Sequence, residues 1–145
     1  MGIFITSCAG KQVKGSDFDV EVKLSKAASA KLTELNETIK VIAFFDGDGE
    51  KIKGQNTAPF RDVFLGKKEV EIKEGEKANI SNIWFSQSDY SRLNSPNYYV
   101  TLNVVSGRRA HKNNLLWCDV PIETIDHIAS RVTAVNCKLI GENNF

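Results

Sequence analysis

The chain has 145 residues, of which 41% are hydrophobic and 26% charged, and its net charge is +1. This composition predicts one globular domain with a sizeable core and excludes an intrinsically disordered chain. The near-neutral charge gives no general reason to expect nucleic acid, an anionic membrane surface or an acidic substrate as partner. The sequence shows no apolar run near the roughly 20 residues that span a bilayer, so membrane attachment would have to be covalent.

Segments with strand character follow one another along most of the chain. Phe18–Leu24 alternates apolar and charged residues, which is typical of a strand with one wet face. Residues 38–45 are apolar on both faces and predict a central strand. The following Asp46-Gly-Asp-Gly49 is interpreted as a tight hairpin turn. Further strands are predicted at residues 63–65, 70–72, 78–85, 98–105, 115–120 and 132–140.

Two short helices are predicted among these strands. Ser25 suits the N-cap of a helix that runs to Leu35, and Asn36 suits a left-handed exit. Pro121 suits the first position of a helix that runs to Ala129.

Short strands with turn signals roughly every 8–12 residues predict an all-β fold, namely a two-sheet antiparallel β-sandwich of the transthyretin or immunoglobulin-like kind. Residues 1–16 are assigned to a lipobox-like N-terminus and tether. Residues 17–145 are assigned to a single β-sandwich domain that carries the one or two short helices.

The N-terminus carries a lipidation pattern. Ile5-Thr-Ser-Cys8-Ala-Gly10 has the form of a bacterial lipobox, in which the cysteine is acylated. Residues 1–5 supply neither the basic start nor the apolar core of a secretory signal, so this interpretation requires a longer signal upstream. One alternative is an unmodified cytosolic N-terminus. Another is myristoylation, because Gly2 and Thr6 fit the M-G-x-x-x-[ST] pattern, with Cys8 as a palmitoylation site.

The other two cysteines depend on the fate of Cys8. If Cys8 is acylated, Cys118 and Cys137 remain as a pair on two predicted strands. A bond between them would close a loop of roughly 20 residues and stabilise the fold by about 3 kcal/mol. The alternative is two buried free thiols in a reducing cytosol. We favour the disulfide, because it and the lipobox support each other.

Motifs of catalysis are missing from the sequence, which has no G-x-S-x-G, P-loop, dinucleotide fingerprint or H-E-x-x-H. The two histidines, His111 and His127, are scattered, and a thiol–imidazole pair of Cys118 with His111 would rest on closeness in sequence alone. The stretch that begins at Asp46 lacks the glycine and glutamate of an EF-hand at the sixth and twelfth positions, which leaves at most a looser carboxylate site. We predict no enzyme, no cofactor and no metal site.

The densest positive cluster is Arg108, Arg109, His111 and Lys112, hereafter the basic loop (residues 108–112). We hypothesise that it contacts an acidic partner or a phosphate-bearing glycolipid, because loops on a rigid sandwich often carry recognition. The alternative is a solvated loop tip. No ladder of aromatic residues accompanies the basic ones, which disfavours nucleic acid.

Four runs of the chain resemble small lipoproteins of Gram-negative bacteria whose function is unassigned. These runs are residues 20–35, 39–47, 102–118 and 137–142. None of them is a chemical motif, but together they cover most of the chain after Asp17. The resemblance implies export, a lipid on Cys8, a bridge between Cys118 and Cys137, and no enzyme activity.

These inferences predict a lipoprotein tethered through Cys8 to the periplasmic face of a bacterial membrane, the outer membrane by preference. It would act as a binding or assembly subunit with an envelope protein partner. The outer-membrane lipoprotein of type VI secretion is a fold-level analogy. Alternatives are an enzyme or enzyme inhibitor of the cell envelope, and a cytosolic interaction domain with free thiols. The oligomeric state is left undefined.

Overall fold

Two four-stranded sheets face each other across a shared core in the computed structural model, which describes residues 10–142. The strands are β1 (Gln12–Lys14), β2 (Phe18–Leu24), β3 (Ile39–Gly47), β4 (Val63–Ile72), β5 (Lys77–Ile80), β6 (Trp84–Ser86), β7 (Tyr99–Ser106), β8 (Leu116–Cys118), β9 (Ile122–Thr124) and β10 (Thr133–Leu139). The helices are α1 (Lys26–Leu35), α2 (Gln87–Tyr90) and α3 (Ile125–Ala129).

One sheet has the order β5-β2-β10-β8 and the other the order β4-β3-β7-β9, while β1 and β6 form a separate two-stranded ribbon. The predicted two-sheet β-sandwich is therefore confirmed. Its strands pair antiparallel except for β2 and β10, which run parallel. The chain reaches β10 only after it has crossed to the other sheet and back, so β10 enters beside β2 without a hairpin connection.

The core lies between the inner faces of the two sheets. The alternation predicted for β2 and β7 is observed, with Val20, Val100 and Leu102 fully buried. Aromatic rings fill one end of the core, where the rings of Phe85 and Tyr98 meet edge to face at 5.0 Å. Burial raises the pKa of Tyr98 to about 12, although its hydroxyl accepts a hydrogen bond from a backbone N–H.

Helix α1 begins and ends where its capping residues predicted. The Ser25 hydroxyl accepts a hydrogen bond from the Ala28 N–H at 3.1 Å, which satisfies one of the free donors of the first turn. Asn36 adopts φ 53°, the left-handed conformation that ends a helix. Leu32 is the large buried side chain of this helix, which packs against β10.

Strand β4 is one long strand, not the two short ones predicted at residues 63–65 and 70–72. Gly66 does not end it, because the register with β3 shifts between Phe45 and Asp46 and so accommodates the glycine at φ 131°. The segment predicted as a single strand at residues 78–85 is instead divided into β5 and β6. Asn82, at φ 55°, makes that break.

The helix predicted from Pro121 begins later, at Ile125. Ile122–Thr124 forms β9, an edge strand on β7. A proline beside an edge strand removes no ladder hydrogen bond, and the Pro121 carbonyl still accepts one from the Leu102 N–H at 3.0 Å. The helical spacing of the apolar residues after Pro121 was thus overridden by sheet pairing.

The tight turn predicted at Asp46-Gly-Asp-Gly49 is wrong. Strand β3 continues to Gly47, and residues 48–62 form a long loop before β4. Gly49 instead pairs with Leu93 in an isolated bridge, where a Cβ atom would collide with the carbonyl oxygen of Arg92. Glycine is required at this point for close approach of two backbones.

The predicted tether, residues 1–16, overlaps the folded domain. Gln12–Lys14 forms β1 on β6, and the N–H of the buried Gly15 donates to the Ile83 carbonyl at 2.8 Å. Cys8 lies outside the described residues. Within residues 10–142, none of the helices has the length and apolar character that crossing a membrane requires.

Candidate functional site

The basic loop lies at one end of the sandwich, between β7 and β8 and beside the exit of α1. Arg108, Arg109, His111 and Lys112 all lie in this loop. The structure brings the loop against two carboxylates from distant parts of the chain, Glu37 after α1 and Glu71 on β4.

Glu37 is the centre of the site. The residue is only 6% exposed, and its carboxylate accepts four backbone hydrogen bonds. Oε1 accepts from the N–H groups of Thr38 and Arg109, both at 2.9 Å. Oε2 accepts from those of Ala110 and His111, at 2.8 and 3.0 Å. Three successive amides of the basic loop therefore converge on one buried carboxylate, an arrangement that backbone N–H groups form around anions.

The electrostatics of Glu37 are governed by those amides. Burial by itself would raise the pKa of its carboxyl, but the four backbone N–H donors favour the charged form and leave the pKa below its usual value. The carboxylate is therefore ionised at neutral pH and acts as an anchor for the basic loop.

The side chain of Arg109 turns back onto β4. Its Nε and a terminal nitrogen donate to the two oxygens of Glu71 at 2.9 and 2.8 Å, a bidentate pair. The Thr38 hydroxyl donates to the same carboxylate at 2.5 Å. Hydrogen bonds from Arg109 and then Thr38 lower the pKa of Glu71 to about 2. Glu71 in turn raises the pKa of Arg109.

The base of the basic loop is closed by short-range contacts. The Gly107 N–H donates to the Thr38 carbonyl at 2.8 Å, and a Cβ at Gly107 would collide with the Thr38 hydroxyl. Asn114 Oδ1 accepts from the N–H groups of Ser106 and Leu116, at 2.9 and 3.1 Å. These bonds hold both ends of the loop to the sandwich.

The four predicted residues therefore have different roles. Arg109 pairs with Glu71, and His111 Nδ1 accepts a hydrogen bond from the Asn113 N–H at 3.2 Å. Arg108 and Lys112 are exposed and have no ion-pair partner among residues 10–142. These two cations are the part of the loop that remains available to a partner.

A cavity of about 330 Å³ opens beside the basic loop. It lies between the end of α1 and the turn that follows β4, and it is lined by Leu32, Thr33, Asn36, Glu37, Thr38, Lys73 and Glu74. The loop is therefore next to a concave surface that a partner side chain could enter.

The predicted disulfide is present. Cys118 and Cys137 are direct cross-strand neighbours on β8 and β10, with Cα atoms 4.0 Å apart, and their sulfurs are bonded. This outcome contradicts the alternative of two free thiols. It also rules out a thiol–imidazole pair of Cys118 with His111, because a disulfide sulfur is not a nucleophilic thiolate.

The Asp46-Gly-Asp-Gly-Glu50 stretch forms no ligand cage around a cation. Among residues 10–142, no three His, Cys, Asp or Glu side chains gather as they would around a metal ion. Asp48 instead pairs with Arg61, and Asp46 is buried beneath the loop.

Sequence reasoning missed Glu37 and Glu71. Glu37 bonds to residues 72 to 74 positions further along the chain, and Glu71 bonds to Arg109, 38 positions away. The local sequence has no signal for contacts of that range. Comparison with known proteins adds nothing to this site, since no family model, curated protein or solved structure matches the chain.

Proposed function

We propose that the protein is a lipid-anchored binding or assembly subunit of the bacterial cell envelope, with the basic loop as its partner-contacting surface. The observation that carries the proposal is the convergence of three loop amides on the buried Glu37 carboxylate. The proposal assigns the chain no catalytic step.

A loop held in this way has little conformational freedom left to lose when a partner binds. The cost of ordering side chains and loops is a main reason why buried area does not convert fully into affinity. Glu37 removes that ordering cost in advance for the backbone of the loop, and Arg108 and Lys112 present exposed positive charge from it. Such charges speed association and select partners by complementarity, so the fitting partner is an acidic protein surface.

The proposed location rests on two cysteine features. Ile5-Thr-Ser-Cys8-Ala-Gly10 has the lipobox form. The bond between Cys118 and Cys137 supports an oxidising compartment, because disulfides persist outside the reducing cytosol. A protein held by several acyl chains at the periplasmic face of the outer membrane would account for both the lipobox form and the disulfide.

The lipid anchor is tested with the full gene and its upstream DNA, expressed in a Gram-negative host fed an alkyne-tagged fatty acid. We expect the label on the wild-type protein in the membrane fraction. Cys8→Ser should lose the label. Unlabelled wild-type protein, or label that persists on Cys8→Ser, would contradict lipidation at Cys8.

The partner surface is tested by photo-crosslinking in the same cells, with a photoreactive residue placed at Arg108 or Lys112. We expect a discrete crosslink to an acidic envelope protein. The double charge reversal Arg108→Glu/Lys112→Glu should prevent co-purification of that protein. A matched control is Lys26→Glu/Lys53→Glu, which reverses two exposed charges away from the loop. Equal loss in both double variants would count against the basic loop.

A further inference from the structure

A second concave site lies on the outer face of the β4-β3-β7-β9 sheet, away from the basic loop. Asp46 pairs with Tyr99, and Thr101 pairs with both Phe44 and Ile122. Because side chains alternate along strands, this register puts all five on the same outer face. The long loop before β4 returns over this face, where the ring of Phe60 packs at 5.2 Å from that of Phe44.

The space between that loop and the sheet is a cavity of about 460 Å³, within the range of roughly 300–1,000 Å³ typical of small-molecule sites. It is lined by Asp46, Pro59, Phe60, Arg61, Thr101 and Ile122. Three of these residues are apolar and three carry hydrogen-bonding side chains, a mixture that suits an amphipathic ligand.

Asp46 is the unusual member of this set. It is 5% exposed, and its Oδ2 accepts the Arg61 N–H at 2.8 Å. Its Oδ1 is buried and has no hydrogen-bond partner in the described part of the chain. Buried polar atoms are nearly always paired, and a buried charge without full pairing is costly. Burial accordingly raises the pKa of this carboxyl, despite the Arg61 N–H.

Arg61 supplies donors to the same cavity. Its guanidinium lies 3.7 Å from the centre of the Tyr99 ring, and one nitrogen is 3.4 Å from Asp48. That ion pair is exposed and long, so it holds the side chain weakly. A guanidinium has five N–H donors, and within residues 10–142 those of Arg61 bond only to Asp48, which leaves most of them to a ligand.

We propose that this cavity binds a neutral cyclic polyol, that is, a carbohydrate unit. One hydroxyl donates to Asp46 Oδ1, a neighbouring hydroxyl accepts from Arg61, and the C–H face of the ring packs on Phe60 and Ile122. Thr101 provides a further hydroxyl at the floor of the site.

Charge decides among the ligand classes. An amine would meet the like charge of Arg61, and a carboxylate would meet that of Asp46. A hydroxyl both donates and accepts, so vicinal hydroxyls satisfy both residues without repulsion. Because Oδ1 is buried, a ligand reaches it only after its surroundings shift, and residues 59–61 are the part of the cavity wall that lies in a loop. We therefore expect the largest changes on binding in that segment.

The test is a titration of the full-length, isotopically labelled protein followed by backbone amide resonances. The probes are the methyl glycosides of glucose, galactose, mannose and N-acetylglucosamine, with benzylamine and benzoate as singly charged comparisons and phenylalanine as a zwitterion that carries both charges. We expect saturable shifts with at least one glycoside, centred on residues 59–61, Asp46 and Thr101. No saturable shift with any glycoside would overturn the proposal, as would stronger binding of a charged probe.

Two variants then tie binding to the site. Asp46→Asn should weaken glycoside binding by about tenfold or more, because a hydrogen bond to a charged acceptor is lost. Thr101→Val keeps the shape of the residue and should also weaken binding. Asp119→Asn is the matched control, since it changes an exposed acid that accepts from Asn136 on β10. Unchanged affinity in Asp46→Asn, with the fold intact, would contradict the proposed site.

Discussion

The carboxylate of Glu37 accepts the backbone N–H of Arg109 at 2.9 Å, across 72 residues of sequence. This bond joins the end of α1 to the basic loop, and the neighbouring amides of Ala110 and His111 reinforce it. The loop is thus a part of the folded sandwich, and the conformation of its middle depends on one buried side chain that receives three of its backbone amides.

Replacement of Glu37 by glutamine tests that dependence. The variant keeps the shape of the side chain but puts an NH₂ group where one oxygen accepted backbone N–H bonds. We expect a loss of about 2 kcal/mol in the free energy of unfolding, because buried donors are left unpaired. Urea denaturation measures the loss, and hydrogen exchange should accelerate at residues 109–111.

The matched control for Glu37 is Glu34→Gln. Glu34 is exposed and pairs with Lys31 at 3.7 Å across one helical turn. Surface pairs of this kind contribute little, so we expect a change within about 0.5 kcal/mol. Equal destabilisation by the two variants would show that Glu37 does not anchor the loop.

The pair between Arg109 and Glu71 predicts a pH dependence. The pKa of Glu71 falls from an ordinary 4.5 to about 2. A carboxyl whose pKa is lowered on folding stabilises the folded state at any pH above its ordinary, unfolded-state pKa. This stabilisation is lost as the pH falls through the pKa of the folded state. The difference in unfolding free energy between wild type and Glu71→Gln should therefore be constant above pH 4.5 and vanish toward about pH 2.

Urea denaturation at a series of pH values measures this difference. Glu69→Gln serves as the control. Glu69 lies on the same face of β4 as Glu71, and its carboxylate pairs with Lys67 at 3.2 Å. A difference for Glu71→Gln that persists unchanged through the acid range would be inconsistent with the pair.

Ionisation of Asp46 is expected to have the opposite effect on the free energy of unfolding from ionisation of Glu71. Burial raises its pKa above the ordinary 3.8, so ionisation on going from acid to neutral pH costs folding free energy. Asp46→Asn keeps an oxygen for the Arg61 N–H and removes the charge. We expect the variant to be more stable than wild type at neutral pH, with a gain that disappears as the pH falls below the ordinary pKa of the Asp46 carboxyl. Thermal or urea denaturation checks this gain.

Asp48→Asn is the control for Asp46. Its side chain is 55% exposed, and the exposed pair with Arg61 should contribute less than about 0.5 kcal/mol. A lower stability of Asp46→Asn than of wild type would contradict the cost assigned here to the buried charge. A ligand-binding role would explain why the protein has Asp46 at this position although the buried charge lowers its stability.

The disulfide is expected to contribute strongly to stability. Cys118 and Cys137 are 19 residues apart, and the chain-entropy model gives about 3 kcal/mol for a loop of this length. Cys118→Ala/Cys137→Ala should therefore have a lower urea midpoint, and wild type under reducing conditions should move toward the same value. A midpoint unaffected by either treatment would refute this contribution.

Gly107→Ala tests the closure of the basic loop. The added methyl group would collide with the Thr38 hydroxyl, which also donates to Glu71. We expect a loss of about 2 kcal/mol, since the buried backbone must shift. The double variant Thr38→Ala/Gly107→Ala should recover part of the loss in a double-mutant cycle. Strictly additive effects would mean that the two residues do not interact.

The elements that the sequence predicted well are those that depend on neighbours along the chain. Ser25 caps the start of α1 and Asn36 its end, each through contacts within one helical turn. The period of two in Phe18–Leu24 predicted which side chains face the core. By contrast, the glycines after Asp46 were typical of a turn. Gly49 instead permits a close contact between its backbone and that of Arg92, which only the folded chain brings together.

The sequence by itself determined the sandwich class and the limits of α1, and it favoured a pairing of Cys118 with Cys137. Local propensity and alternation were sufficient for the first two, because each acts over short range, whereas the pairing was left conditional on the state of Cys8. Only the tertiary structure decided that Glu37 anchors the basic loop and that Asp46 lines a cavity. Both depend on strand register and sheet packing, which bring together residues that no local pattern relates.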